Sequence, residues 1–397
     1  MSDAVQGDGA MRAADVRLTA ILYLVTGLSM ATIGVIVPFM GPIGAELGAS
    51  GGQIGFAISL FSLPSALIAL AGGAATDRIG VRRTLLMSGL IAVPGSLIVS
   101  QARSIAMIDV GLLVCGVAFA GISVSAPAAL IASLSGGAQV RAMSFWSTYA
   151  PTGYALGLLM AVPFAGDASW RTAAMVHAAA MAVATALLLL VPALPRVHAA
   201  QGRGVASVLR LFADGAILRI GLAVALPNGI SYGVSLVSPS YLARVHDIGL
   251  SLSSGAVAAA KIAAMVFGGL ATGYLLSRKV PAKRLYLMLA ATGLAAQVAL
   301  FVPHGSFALA IAGLILWLFC FGGMAGTAMA RLSTVVSDPA RIGIASGAVG
   351  QMISIASFAA PTVYLGLVSW QPFCAIAAIG LAAAAVALPV RAGGARG

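Results

Sequence analysis

Long apolar runs of about 20 residues, parted by short polar interruptions, fill this chain from residue 18 to residue 390. Wound as a helix at 1.5 Å per residue, a run of that length crosses the roughly 30 Å hydrocarbon core of a bilayer. Twelve such spans are expected, near residues 18–40, 54–75, 85–101, 105–131, 142–165, 172–194, 216–241, 253–276, 285–302, 306–330, 342–367 and 371–390. Pro303-His304-Gly305 supplies the seam between the ninth and the tenth. The pattern predicts an all-α membrane protein.

Composition supports this. Hydrophobic residues make up 60% of the chain and charged residues 8%, against roughly 25% charged in soluble domains, and the mean hydropathy is +1.05. A net charge of +12 would suit a nucleic-acid binder. The basic residues, however, sit in short loops between apolar runs rather than on one face, so topology accounts for them and no nucleic-acid partner is expected.

Alternate loops carry the charge. One set holds Arg12 and Arg17, then Arg78, Arg82 and Arg83, then Arg141, the arginines from Arg196 to Arg219, the basic group from Arg278 to Arg284, and Arg331 and Arg341. The other set holds only Arg103, Arg171 and Arg244. The positive-inside rule makes the first set cytoplasmic, together with both termini. The first apolar run is too long for a signal-peptide core and lacks a cleavage site, so it is expected to stay as an anchor. Cys115, Cys320 and Cys374 lie inside apolar runs without metal-ligand spacing and read as packing residues.

The longest polar connection, 195–215, divides the chain into six spans at 18–194 and six at 216–390, with tails at 1–17 and 391–397. A repeat should follow, and a faint one does. Gly273-Tyr-Leu-Leu-Ser277-Arg278-Lys279 with the pair Lys283-Arg284 follows the eighth span as Gly73-Ala-Ala-Thr-Asp77-Arg78-Ile-Gly80-Val-Arg82-Arg83 follows the second. The spacing Gly-x-x-x-Asp-Arg-x-Gly-x-Arg-Arg of the earlier copy resembles the signature loop of the major facilitator superfamily, which lies between the second and third membrane helices. Val81 and Ala75 depart from that pattern. A basic loop obeying the positive-inside rule would explain the arginines, but not the Asp-Arg-x-Gly core.

The resemblance implies two pseudo-symmetric six-helix bundles, twelve transmembrane helices in all, with a cavity between them near the midplane. It also implies gating roles. Gly73 would let helix ends approach, Asp77 would pair with arginine near a helix N-terminus, and Arg78, Gly80, Arg82 and Arg83 would form the turn and its basic flank.

Catalytic chemistry is not indicated. His177, His198, His246 and His304 are scattered, and no phosphate loop or nucleophile motif is present, so neither an enzyme nor a cofactor is expected. Lys261 is the ionisable residue deepest in a span. A lysine at that depth costs about 2.5–3.5 kcal/mol on insertion scales, and no carboxylate sits at similar depth to offset it. Its counter-charge is then expected from an anionic solute. The plainer alternative is a lysine bonded to backbone carbonyls or held neutral in a dry site.

Asp109, one turn inside the fourth span, could carry a coupling proton, pair with Arg103 or cap the helix start. The fifth span contains Trp146 and Tyr149 ahead of Pro151-Thr-Gly153-Tyr154, which partly resembles a motif of superfamily drug exporters; a small-residue interface with a proline bend is the plain alternative. In the seventh span Pro227-Asn228-Gly229 reads as an interruption, with Asn228, Tyr232 and Ser235 on one face. Gln351 adds a polar group in the eleventh. Expected solute contacts are thus Lys261, Asn228, Tyr232, Gln351, Trp146 and Tyr149.

The functional expectation is a secondary transporter in the bacterial inner membrane, moving a small anionic organic solute, with a proton or counter-anion as coupled partner. Proton-driven efflux of drugs or of a metabolite such as a siderophore is the alternative within transport. A receptor or scaffold on the same fold is the alternative outside it. Monomer and oligomer stand equal.

Overall fold

A bilayer offers no water to bond backbone groups, so a spanning chain must satisfy them within its own helices. The computed structural model describes residues 11–146, 148–191, 214–335, 339–367 and 369–389, without the side chains of 68–78, 140, 266, 333–334 and 339–344. Its elements are α1 (Ala13–Ile36), α2 (Met40–Leu47), α3 (Gly51–Ile79), α4 (Val81–Ser100), α5 (Ile105–Ser133), α6 (Gly136–Trp146) and α7 (Tyr149–Ala165). There follow α8 (Trp170–Leu187), α9 (Gly215–Val245), α10 (Leu250–Ser277), α11 (Ala282–Phe301), α12 (Phe307–Val335), α13 (Pro339–Leu365) and α14 (Trp370–Ala387).

Ten segments among the described residues are long and apolar enough to cross a membrane, α1 and α2 counting as one. The remaining two of the expected twelve fall on α3 and on 142–165. α3 runs 29 residues, of which the described apolar part is Gly51–Leu67. The expected span 142–165 is two helices, parted between Trp146 and Tyr149. Pro151 explains the break: inside a longer helix it would deny a bond to the carbonyl four residues back and crowd it, whereas in the first turn of α7 its missing N–H costs nothing. The expected proline bend is therefore a helix start.

The seventh span departs in the opposite sense. No interruption occurs at Pro227-Asn228-Gly229, and α9 runs unbroken through Pro227 and Pro239. Each proline leaves the carbonyl four residues earlier without its helical donor. Both carbonyls are taken by tyrosines: Tyr286 donates its hydroxyl to the Ala223 carbonyl at 2.5 Å, and Tyr154 to that of Ser235 at 2.6 Å. Neighbouring helices thus hold α9 together where its sequence would break it.

Packing repeats along the chain. α1 lies on α7 as α9 lies on α13, α3 on α5 as α10 on α12, α4 on α5 as α11 on α12, and α4 on α8 as α11 on α14. The most extensive contacts between the two sets are α3 with α13 and α7 with α10. Close approach of α1 and α7 depends on missing side chains: a Cβ at Gly157 would lie 2.8 Å from Gly34 Cα, and one at Gly153 2.9 Å from Gly27 Cα. That is the small-residue interface expected of the fifth span.

The signature loop is short. α3 ends at Ile79, and Gly80 begins α4 with φ +93°, a conformation that side-chain-bearing residues rarely adopt. Arg82 then donates to the carbonyls of Val191 and Leu189, at 2.9 and 3.2 Å, just past the end of α8. Lys283 repeats this at the start of α11, reaching the carbonyls of Ala385 and Leu388 at the end of α14. Cations at helix C-termini answer both the unpaired carbonyls and the helix dipole.

Candidate functional site

Lys261 lies 11 residues into α10, about 16 Å along the helix at 1.5 Å per residue. It is only 6% exposed. Its ammonium donates to Ser235 Oγ on α9 at 2.6 Å and stands 4.5 Å from the centre of the Tyr154 ring on α7. An aromatic face attracts a cation through its quadrupole, so Tyr154 offsets part of the lost hydration. The ion pairs among the described residues are Arg12–Asp15 and Arg171–Glu46, and neither involves Lys261. Of its three N–H donors, one is used on Ser235.

Beside this ammonium is a cavity of about 200 Å³, walled by both sets of helices. Asn228, Ser231 and Tyr232 of α9 and Ser354 and Ser357 of α13 give one polar wall. Phe61, Ser62 and Ser65 of α3, Phe119 of α5 and Tyr149 of α7 give the other, mostly aromatic, wall. The Asn228 amide donates to Ser357 Oγ at 3.0 Å, which fixes its orientation.

Four expected contacts therefore line the cavity: Lys261, Asn228, Tyr232 and Tyr149. Trp146 does not, because the break before α7 leaves it behind Tyr149, with ring centres 4.6 Å apart. Gln351 is also absent from the lining; it is buried, its Oε1 has no partner, and the residues of α13 that face the space are Ile353, Ser354 and Ser357. The hydroxyls of Ser62, Ser65, Ser354 and Ser357 and the rings of Phe61 and Phe119 were not singled out by sequence. Serine is common in membrane helices as an interhelical bonder, so type alone gives no signal.

Asp109 neither caps its helix nor pairs with Arg103. Ser104 Oγ accepts the Met107 N–H at the start of α5, and no Asp109–Arg103 pair occurs among the described residues. Its Oδ1 is buried without a partner, and it does not line the cavity. Of the signature-loop residues, Gly73, Asp77 and Arg78 fall within helix α3, but their side chains lie outside the described residues. Arg83 is exposed. His177 is structural: a carbonyl only accepts, so Nε2 donates to Leu28 O at 2.8 Å and Nδ1 accepts from Ser96 Oγ at 3.1 Å.

At the end where α3 and α10 begin, the two sets of helices are sealed together. Ser59 Oγ meets Thr362 Oγ1 at 3.0 Å, and Ser251 Oγ donates to the Val162 carbonyl at 3.1 Å. Gly55 packs so closely on α13 that a Cβ there would lie 2.9 Å from Thr362 Cα.

Helix order and packing match known membrane transporters. The chain superimposes on a bacterial homolog of the human lysosomal transporter Spinster, in an inward-facing and unoccupied conformation, with TM-score 0.75 and 16% identity over 96% of this chain and 95% of that one. It superimposes on the nucleoside transporter NupG with TM-score 0.78 and 12% identity over 95% and 98%. For the inward-open xylose transporter XylE from E. coli the values are 0.71 and 15% over 93% and 94%. No curated protein sequence matches the chain. Among the described residues no three metal-binding side chains converge. The sequence model of the Major Facilitator Superfamily matches residues 20–361, and with the repeated packing around one central cavity this places the function in transport of a small solute by alternating access: the chain belongs to the major facilitator superfamily.

Proposed function

We propose that this transporter moves a small organic anion, with Lys261 as the group that recognises its charge. One observation carries the reading: a buried ammonium borders the central cavity, and no carboxylate answers it among the described residues. An anion entering the cavity would supply the missing charge. Asn228, Tyr232 and the serines would bond its polar groups, and the Phe61 and Phe119 rings would take its apolar part. A volume of about 200 Å³ favours a small solute, since pockets that bury drug-sized ligands measure roughly 300–1,000 Å³.

The nucleoside and xylose named for two of the similar structures do not carry over at 12–15% identity. In this reading the chain has twelve spans, α3 and the α6–α7 pair serving as the second and fifth, arranged as bundles at 18–194 and 216–390 around the 195–215 linker. Loop arginines argue for cytoplasmic termini in a bacterial inner membrane. The sealed end is then external, and the conformation faces inward.

Thermal stabilisation of the purified protein by a panel of carboxylates, amines and sugars tests the proposal. Carboxylates should raise the melting temperature of the wild type and not that of Lys261→Gln. Stabilisation by amines or sugars alone would reject it.

A further inference from the structure

Across the seal from Lys261, a second and larger cavity of about 330 Å³ lies between the two sets of helices. Met40 and Gly44 of α2 and Ile54 of α3 form one side, while Tyr241 and Arg244 of α9 and Tyr364 of α13 form the other. Arg244 is exposed, and it enters no ion pair among the described residues. No Asp or Glu lines the space. Glu46, close by on α2, is already engaged by Trp170 Nε1 at 2.8 Å and by Arg171 at 2.6 Å.

Tyr364 adds an independent observation. It is 2% exposed, it lines this cavity, and its hydroxyl has no partner. A buried hydroxyl without a partner carries a cost that a ligand acceptor would remove. Its neighbour Tyr241 is already committed, donating to the carbonyl of Phe301. Leu365, Leu367 and Phe373 complete apolar walls. A guanidinium without a partner carboxylate, an idle buried donor and apolar walls together complement a carboxylate carried on an aromatic or aliphatic body.

We propose that this cavity is a second binding site, taking an organic monoanion at Arg244 with the Tyr364 hydroxyl donating to the bound ligand. The inference rests on the surroundings of Arg244 and not on the role given to Lys261. Its place beyond the seal makes it a station that the solute occupies before or after the central cavity, so one molecule would meet a cation on each side of the closed gate.

The test uses the full-length protein in detergent, with Cys374→Ser to remove the half-buried thiol and Ser240→Cys to place one at the cavity wall. Benzoate is the probe, and the rate of alkylation by N-ethylmaleimide is the readout. Benzoate should slow alkylation saturably, while benzylammonium of the same size should not. Arg244→Gln should raise the benzoate concentration for half-protection about ten-fold or more, as expected for loss of a charge-assisted contact, and Tyr364→Phe should raise it by less. Protection should persist in Lys261→Met, which separates this cavity from the central one. No protection, protection unchanged by Arg244→Gln, or protection by phosphatidylglycerol micelles in place of benzoate would overturn the inference. Protection lost in Lys261→Met would also overturn it, while leaving the central site standing.

Discussion

The hydroxyl of Tyr154 donates at 2.6 Å to the carbonyl of Ser235, an acceptor that Pro239 leaves free four residues later in the same helix. Tyr154 belongs to α7 and Ser235 to α9, so this bond joins the two sets of helices. Ser235 serves the cavity as well: its Oγ accepts from Lys261 at 2.6 Å and donates to the Ser231 carbonyl at 2.6 Å. One residue therefore connects the buried cation to a bond between the two sets of helices.

Replacing Tyr154 with Phe keeps the ring over Lys261 and removes the donor. A carbonyl buried without a partner costs about 1–3 kcal/mol, so Tyr154→Phe should lower the melting temperature and weaken the seal. Tyr286→Phe orphans the Ala223 carbonyl instead, inside one set of helices. It should cost similar stability without changing the balance of conformations. Labelling of Ser59→Cys from the sealed end reports that balance. Equal labelling in the two tyrosine variants would show that the Tyr154–Ser235 bond has no part in gating.

Gly55 tests the seal directly. Its place against Pro361 and Thr362 leaves no room for a side chain, a Cβ lying 2.9 Å from Thr362 Cα. Gly55→Val should push α3 from α13 at that end and favour the opposite conformation, by population shift rather than unfolding. More labelling of Ser59→Cys with a near-normal melting temperature is the expected result. Unchanged labelling would mean that the helices move apart locally without opening the gate.

Much of this fold could be read from the chain because the bilayer imposes one rule, apolar runs of spanning length, and the alternating arginines check it independently. What could not be read depended on partners distant in sequence. Pro227 looks like a break until Tyr286 is found on the Ala223 carbonyl that it leaves free, and Tyr154 does the same for Pro239 at Ser235. Pro151 looks like a bend, yet starts a helix. Within the site, Lys261 was legible because an ammonium at that depth needs a reason, and Asn228 and Tyr232 because polar side chains on one helix face are few. Ser62, Ser65 and Ser357 were not, since their type does not separate a ligand from a packing hydroxyl. Trp146 and Gln351 lie outside the cavity lining, a difference that a helix break or a small rotation is enough to cause.

The orientation proposed from the loop charges can be measured alone. A reporter fused after Arg203 should be cytoplasmic, and one fused near His246 external. The opposite location for either alone would overturn the twelve-span reading, and the opposite location for both would make the proposed inward-facing conformation an outward-facing one.

Lys261 decides between a solute site and a packed lysine, because the two readings differ in the sign of the stability change. If its charge meets an anion, Lys261→Met should abolish uptake of the carboxylate that stabilises the wild type, and Lys261→Arg should keep part of it, since the charge survives in another shape. A charge-assisted contact of about 1.5–3 kcal/mol corresponds to roughly ten-fold to more than a hundred-fold in affinity. For a lysine buried only for packing, methionine keeps the length and removes the unpaired charge, so the variant should melt higher and transport normally. Ser235 refines the comparison, because Ser235→Ala removes the hydrogen-bond partner of Lys261 and leaves the charge in place. In an anion site the freed ammonium has one more donor for the solute, and carboxylate affinity should hold or rise. In a packed site the loss of that bond only destabilises. Melting temperature and uptake measured together on Lys261→Met and Ser235→Ala separate the cases, and a stabler Lys261→Met protein with wild-type uptake would end the anion reading.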